Sequence, residues 1–133
     1  MEDSIFTKII KGEVPCHKIY EDERTIAFLT IQPFAEGHTL VVPKKQVDHL
    51  WDLDDEEYLN LLAVAKKVAL HLREVSGKDR VGMTVKGFDM PHAHIHLVPI
   101  NRGDGVSLDQ NDLPITPNDE LTVVAAKYRM QAI

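Results

Sequence analysis

Residues 53–78, LDDEEYLNLLAVAKKVALHLREVSGK, carry the longest periodic pattern in the chain. Tyr58, Leu61, Leu62, Ala65, Val68, Ala69 and Leu72 recur at intervals of three and four, which lines them up as one stripe of an α-helix. Asp54 can cap the first turn, Glu56 and Glu57 complement the positive end of the helix dipole, and Gly77 can stop the helix. Lys66, Lys67 and Arg73 fall off the stripe and read as its wet face. A long helix with one apolar face has to be covered, and the sequence offers alternating segments on both sides of it. CHKIYEDERTIAFLTI alternates about a polar centre and predicts a hairpin with strands near 17–20 and 25–30. GHTLVVPK predicts a strand near 38–43, with Lys44 and Lys45 as solvated charges at its end. RVGMTVKG and HAHIHLVP predict two strands after the helix. A short helix over 4–11, capped by Ser4 and stopped by Gly12, and a last helix near 119–130, capped by Asn118 or Asp119, complete the pattern. Strands before and after one long helix argue for an α+β domain with a mostly antiparallel sheet.

A chain of 133 residues fits a single domain, 1–133, without staples. Its formal net charge of −6 argues against a nucleic acid polymer or an anionic membrane surface as partner, though a small nucleotide responds to local groups rather than to the whole field. Cys16 is the only cysteine, so no intrachain disulfide forms, as suits a reducing compartment. The acidic start MEDSIF lacks an apolar signal core, and no apolar run approaches the ~20 residues of a membrane span. A cytoplasmic location is expected. Residues 101–118 are loop-like and long enough to suggest a functional role or a partner contact.

Three of the seven histidines, His92, His94 and His96, occupy alternate positions in five residues. On a strand they share one face, while Ala93, Ile95 and Leu97 face the core against the long helix. Such a row can be a merely solvated face. It can also hold a metal, but His92 and His96 stand roughly 13 Å apart along a strand, too far for one ion. Two of the three would need a further ligand, such as His38 or His49. Or it can be a reaction centre for phosphorus chemistry. Neutral imidazole is a good nucleophile near pH 7, and flanking N–H groups can bind phosphate oxygens and assist a leaving group, with no metal and no carboxylate pair.

HAHIHLVP resembles the His-φ-His-φ-His-φ-φ signature of the histidine triad (HIT) family of nucleotide hydrolases and transferases. The stretch SIFTKIIKGEVPCHKIYEDERTIAFLTIQPFAEGHTLVVPKK resembles the amino-terminal half of its nucleotide-binding branch, and the likeness covers about residues 4–100. The resemblance implies a five-stranded sheet with one long helix, and a homodimer. It implies cleavage at the α-phosphate of purine nucleoside phosphoramidates or related conjugates. Dinucleoside polyphosphate hydrolysis, nucleotidyl transfer and simple nucleotide binding are the alternatives. By the same resemblance His94 would be the nucleophile and would carry a covalent nucleotidyl intermediate. His92 and His96 would orient it, contact phosphate oxygens and assist the leaving group. His38 would line the phosphate site. Ile5, Phe6, Ile9, Phe28 and Ile31 would form the pocket for the base, although such side chains also read as ordinary core.

The chain departs from the family pattern at several places. Ser4 and Thr7 stand where many relatives have a zinc-binding cysteine pair; hydroxyls are poor zinc ligands, so neither metal nor other cofactor is expected, and His49 reads as a surface residue. Thr30 replaces an aspartate that commonly contacts the ribose, so looser sugar recognition is expected. Gly87 offers either a backbone approach to an oxyanion or a plain turn. Asp89, a carboxylate close to the histidines, would turn to solvent, pair with a histidine or meet a positive leaving group.

Overall fold

The computed structural model describes residues 2–88, 90–105, 110 and 112–130. Local chemistry sets the element boundaries. Asp54 Oδ1 accepts from Glu57 N–H and opens the long helix, Asp55–Ser76, which Gly77 ends in the left-handed conformation at φ 66°. Ser4 Oγ caps a one-and-a-half-turn helix, Ile5–Ile10, by accepting from Thr7 N–H. The polar centre of the first hairpin is a turn built by Asp22, whose Oδ1 accepts from both Arg24 N–H and Thr25 N–H at 2.9 Å.

In chain order the elements are α1 (Ile5–Ile10), β1 (Lys18–Glu21), β2 (Thr25–Leu29), β3 (Thr39–Pro43), a 3-10 turn (Leu50–Asp52), α2 (Asp55–Ser76), β4 (Arg80–Thr84), β5 (Ile95–Ile100) and α3 (Asn118–Tyr128). The five strands form one antiparallel sheet in the order β1-β2-β3-β5-β4. This is the α+β architecture expected from the sequence. No helix among the described residues is long and apolar enough to cross a membrane.

The two faces of the sheet are covered differently. Ala27, Leu29, Val41, Ile95 and Leu97 pack with Ala93 against Leu61, Val64, Ala65, Val68 and Leu72 of α2 and Leu121, Ala125 and Tyr128 of α3. On the other face Ile26, Phe28, Leu40 and Val42 pack with Phe6 of α1. Phe28, Leu40, His96 and Thr84 lie abreast across β2, β3, β5 and β4, so the histidine belongs to the α1 face, which α1 covers only in part.

Two boundaries differ from the sequence reading. β5 starts at Ile95 rather than at His92. The ladder to β3 stops at the Val41–Ile95 pair because its next strong acceptor, the Pro43 carbonyl, is taken by the imidazole of His92 (Nε2–O 2.7 Å), and Ala93 N–H turns to the Val47 carbonyl. The inward set Ala93, Ile95, Leu97 still faces α2. In α3, Pro117 occupies the cap position without a side-chain bond, and Asn118 is the first helical residue, its Oδ1 accepting from His17 Nε2–H at 2.9 Å.

Gly37 joins the layers. It has φ 90°, and a Cβ added there would lie 3.0 Å from Cζ of the buried Tyr128 and 3.2 Å from Cγ of Pro99. Gly77 has a similar φ but open space around it. Gly77→Ala is therefore expected to cost about 1 kcal/mol through the backbone alone, and Gly37→Ala roughly 2–4 kcal/mol because overpacking adds to strain. Urea denaturation midpoints check this; equal losses at both positions would show that the Tyr128 ring yields freely.

Candidate active site

Beside α1, the open part of the sheet forms a cavity of about 640 Å³. Phe6, Phe28 and Leu40 make its floor, while Ile5, Ile9 and Ile31 lie along its wall. Phe88 is 84% exposed and Ile115 66% exposed at its mouth, the kind of apolar surface left in water where a ligand docks. His94 and His96 lie at the polar end. In a chain of net charge −6, no Asp or Glu lines this cavity among the described residues, and Lys86 does. The local field therefore favours an anion.

The hydrogen bonds of the histidines fix where each proton sits, because amide N–H groups only donate and carbonyls only accept. Phe34 N–H donates to His38 Nδ1 at 3.1 Å, so neutral His38 carries its proton on Nε2. That Nε2–H donates to His96 Nδ1 at 3.0 Å, so neutral His96 carries its proton on Nε2. His96 Nε2 is buried with no hydrogen-bond partner among the described residues. An orphaned buried donor costs about 1–3 kcal/mol, and a ligand acceptor would remove that cost. His94 is wired the opposite way: its Nδ1–H donates to the His92 carbonyl at 2.8 Å, which leaves the lone pair on Nε2. The two rings are 4.9 Å apart, and Phe6 packs edge-on against His94 at 5.1 Å. Adjacent rings of opposite tautomer thus line the same cavity.

His92 and His38 stand behind this pair. His92 is fully buried; its Nε2–H donates to the Pro43 carbonyl and its Nδ1 accepts from Ser4 Oγ–H at 2.7 Å, so both nitrogens are held by protein and neither faces the cavity. Its contribution is to fix the carbonyl that orients His94. His38 likewise has both nitrogens engaged and acts on the cavity through His96. Thr30 lines the cavity with Phe28, and Gly87 lies exposed at its edge. Asp89 lies outside the described residues. His49 is exposed beside Asp48.

Zinc, which the resemblance implies for chains with a cysteine pair near α1, does not suit the donors here. Ser4 Oγ, Thr7 Oγ1, Gln46 Oε1 and His92 Nδ1 form a closed hydrogen-bonded cluster of hydroxyls, one amide and one imidazole already engaged on both nitrogens. Among the described residues no group of three or more His, Cys, Asp or Glu is arranged to hold a metal ion.

The sequence reading did not single out Lys86, Gln110 or His17, and gave Asn118 only as a helix cap; all four line the cavity. Lys86 directly precedes Gly87, and that adjacency was the available signal. Gln110 and Asn118 reach the site only through the course of the chain after β5, which no periodicity announces.

Burial pushes the His38 imidazole down to about 4, helped by the Lys86 charge. Burial, reinforced by His94, His38 and Lys86, pushes His96 down to about 2. Burial also lowers His92, against the opposing pull of the Pro43 carbonyl. Because the unfolded chain takes up these protons more readily, the stabilisation is complete above 6.5 and is lost as pH falls toward 4. The thermal midpoint of the protein is expected to fall over that window more steeply than that of His38→Asn, which cannot titrate there. Parallel curves in a pH series of melting scans would show that the wiring does not depend on a neutral His38.

The HIT domain family profile matches residues 11–103. Adenosine 5′-monophosphoramidase of Schizosaccharomyces pombe is 34% identical over 118 residues, covering 86% of this chain and 88% of that protein. A Hit-like protein from Bartonella henselae, described as involved in cell-cycle regulation and solved with an unknown ligand, superimposes with a TM-score of 0.85 at 32% identity, over 96% of this chain and 94% of that one. A zinc-bound histidine triad protein from Mycobacterium smegmatis superimposes with a TM-score of 0.73 at 30% identity, over 92% and 93% of the two chains. Profile, sequence and fold agree with the histidine geometry, and the chain belongs to the HIT domain family.

Proposed function

We propose that the protein hydrolyses purine nucleoside phosphoramidates or related nucleotide conjugates at the α-phosphate, through a covalent nucleotidyl-His94 intermediate. The observation that carries this reading is the pair of adjacent cavity-lining rings with opposite tautomers, His94 with its proton on Nδ1 and His96 with its proton on Nε2. The base lies against Ile5, Phe6, Ile9, Phe28 and Ile31, flat on apolar side chains, and the phosphate meets the histidines.

In the first step His94 Nε2 bonds to phosphorus while the bond from phosphorus to the leaving nitrogen breaks, and that nitrogen takes a proton from solvent and departs as the amine. The ring becomes cationic as it bonds. Its Nδ1–H then donates to the His92 carbonyl as a charge-assisted bond, stronger than in the resting state. His96 Nε2–H stabilises a non-bridging phosphate oxygen as charge gathers there. In the second step water adds to phosphorus and gives a proton back to solvent, the bond to His94 breaks with its electron pair returning to Nε2, and the nucleoside monophosphate leaves. His38 and His92 take no part in bond making; they hold the two acting rings in the required tautomers. The neutral state of His96 keeps it a hydrogen-bond donor rather than a strong acid.

A homodimer and a cytoplasmic location belong to the same reading. β4 is an edge strand, and Met83 on it is 59% exposed, as suits a strand that pairs with a second copy.

His94→Ala is expected to reduce turnover of adenosine 5′-phosphoramidate by about a thousandfold or more while AMP still binds. Mass spectrometry of acid-quenched wild-type protein should show one added nucleotidyl group that the variant lacks. Wild-type turnover in the variant, or labelling that persists in it, would refute the mechanism.

A further inference from the structure

β4 and β5 pair in a register that runs from Arg80 opposite Ile100 to Thr84 opposite His96. Each step along one antiparallel strand is a step back along the other. Carried past the last pair, that register brings Lys86 level with His94, and the alternation of side chains puts it on the face that bears Thr84 and His96. β4 itself ends at Thr84, but the chain beyond it stays at the cavity, which Lys86 lines together with both histidines. The Lys86 Nζ is buried, and its charge adds to the burial that keeps His38 and His96 neutral.

The charges of the cavity then have one source. Burial holds the imidazoles of His38, His92 and His96 below their ordinary range, so these rings offer N–H groups and lone pairs but no positive charge at neutral pH. Among the described lining residues there is no Asp, Glu or Arg, and Lys86 is the only lysine. A phosphoryl group brings negative charge onto a floor of Phe6, Phe28 and Leu40, where an ion without a counter-charge is costly. An ammonium suits that task without disturbing the histidines: it has donors and no lone pair, so it cannot accept the proton of either ring.

We propose that Lys86 is the counter-ion of the substrate's phosphoryl group, holding it at His94 and confining the substrates to conjugates that are anionic at phosphorus. The proposal rests on the nucleotide reading above and adds to it the residue that recognises charge.

Calorimetry with adenosine, AMP and the neutral dimethyl ester of AMP tests it on the full chain. Adenosine reports the apolar pocket alone, and the advantage of AMP over adenosine reports the phosphoryl subsite. The wild type is expected to bind AMP more tightly than adenosine, and the dimethyl ester no better than adenosine. Lys86→Met should shrink the AMP advantage about tenfold or more and leave adenosine within about twofold, while Lys86→Arg, which keeps the charge, retains most of the advantage. An undiminished advantage in Lys86→Met overturns the proposal. So does an equal weakening of adenosine and AMP, which would make Lys86 a support of the pocket, and so do equal losses in the Met and Arg variants. Wild-type binding of the dimethyl ester as tight as that of AMP overturns it without any variant. If the wild type binds AMP no better than adenosine, the nucleotide reading itself is wrong and this proposal falls with it.

Discussion

A backbone amide can only donate a hydrogen bond, and the polarity of the whole histidine cluster descends from that asymmetry at Phe34. Its N–H assigns a lone pair to one nitrogen of His38, which places a proton on the other; that proton assigns a lone pair to His96 Nδ1, so the proton of His96 sits on Nε2. The His92 carbonyl imposes the opposite order on His94. Two chemically identical side chains thus acquire opposite roles with no difference in composition, from the partners they touch: a backbone carbonyl for His94, the His38 ring for His96. The relay works only while His38 and His96 stay neutral. Protonating His38 or His96 would set two N–H groups against each other, which is why burial and function point the same way here.

Much of this was legible beforehand. The long helix declared its cap, its stripe and its stop, because those signals are local. The hairpin about Asp22 was equally local, and the alternation of Ala93, Ile95 and Leu97 named the face that meets α2. Phe6, Phe28 and Ile31 do line a cavity, but sequence could not separate cavity from core, since apolar side chains serve either and the choice depends on where α1 stops covering the sheet. The strand was read as starting at His92 because nothing local shows that the His92 imidazole takes the Pro43 carbonyl, a group far away in sequence, and ends the ladder. The histidine tautomers were beyond reach for the same reason: each is set by a partner between 2 and 58 residues away.

The charge distribution also has a meaning that composition hides. The chain is acidic as a whole, yet the described lining of its cavity carries a lysine and no carboxylate. A negative exterior discourages polyanions through their many contacts, whereas a single phosphate that enters meets donors. The exterior and the interior of the protein thus sort anions by size. A similar division of labour appears in the cluster of Ser4, Thr7, Gln46 and His92, where hydroxyls and an amide fasten α1 to the histidine segment. There Ser4 Oγ serves two structures at once, capping the helix that walls the cavity and holding the ring whose carbonyl orients His94.

The interrupted ladder ahead of Ile95 has a further consequence. A carbonyl inside a regular sheet is committed to its neighbour strand; the His92 carbonyl is released from that duty and can serve a side chain two residues on. Irregular backbone at this spot is therefore not a flaw that a better-folded relative would repair. Ideal geometry here would yield a stiffer sheet whose most important ring had lost its sense of direction.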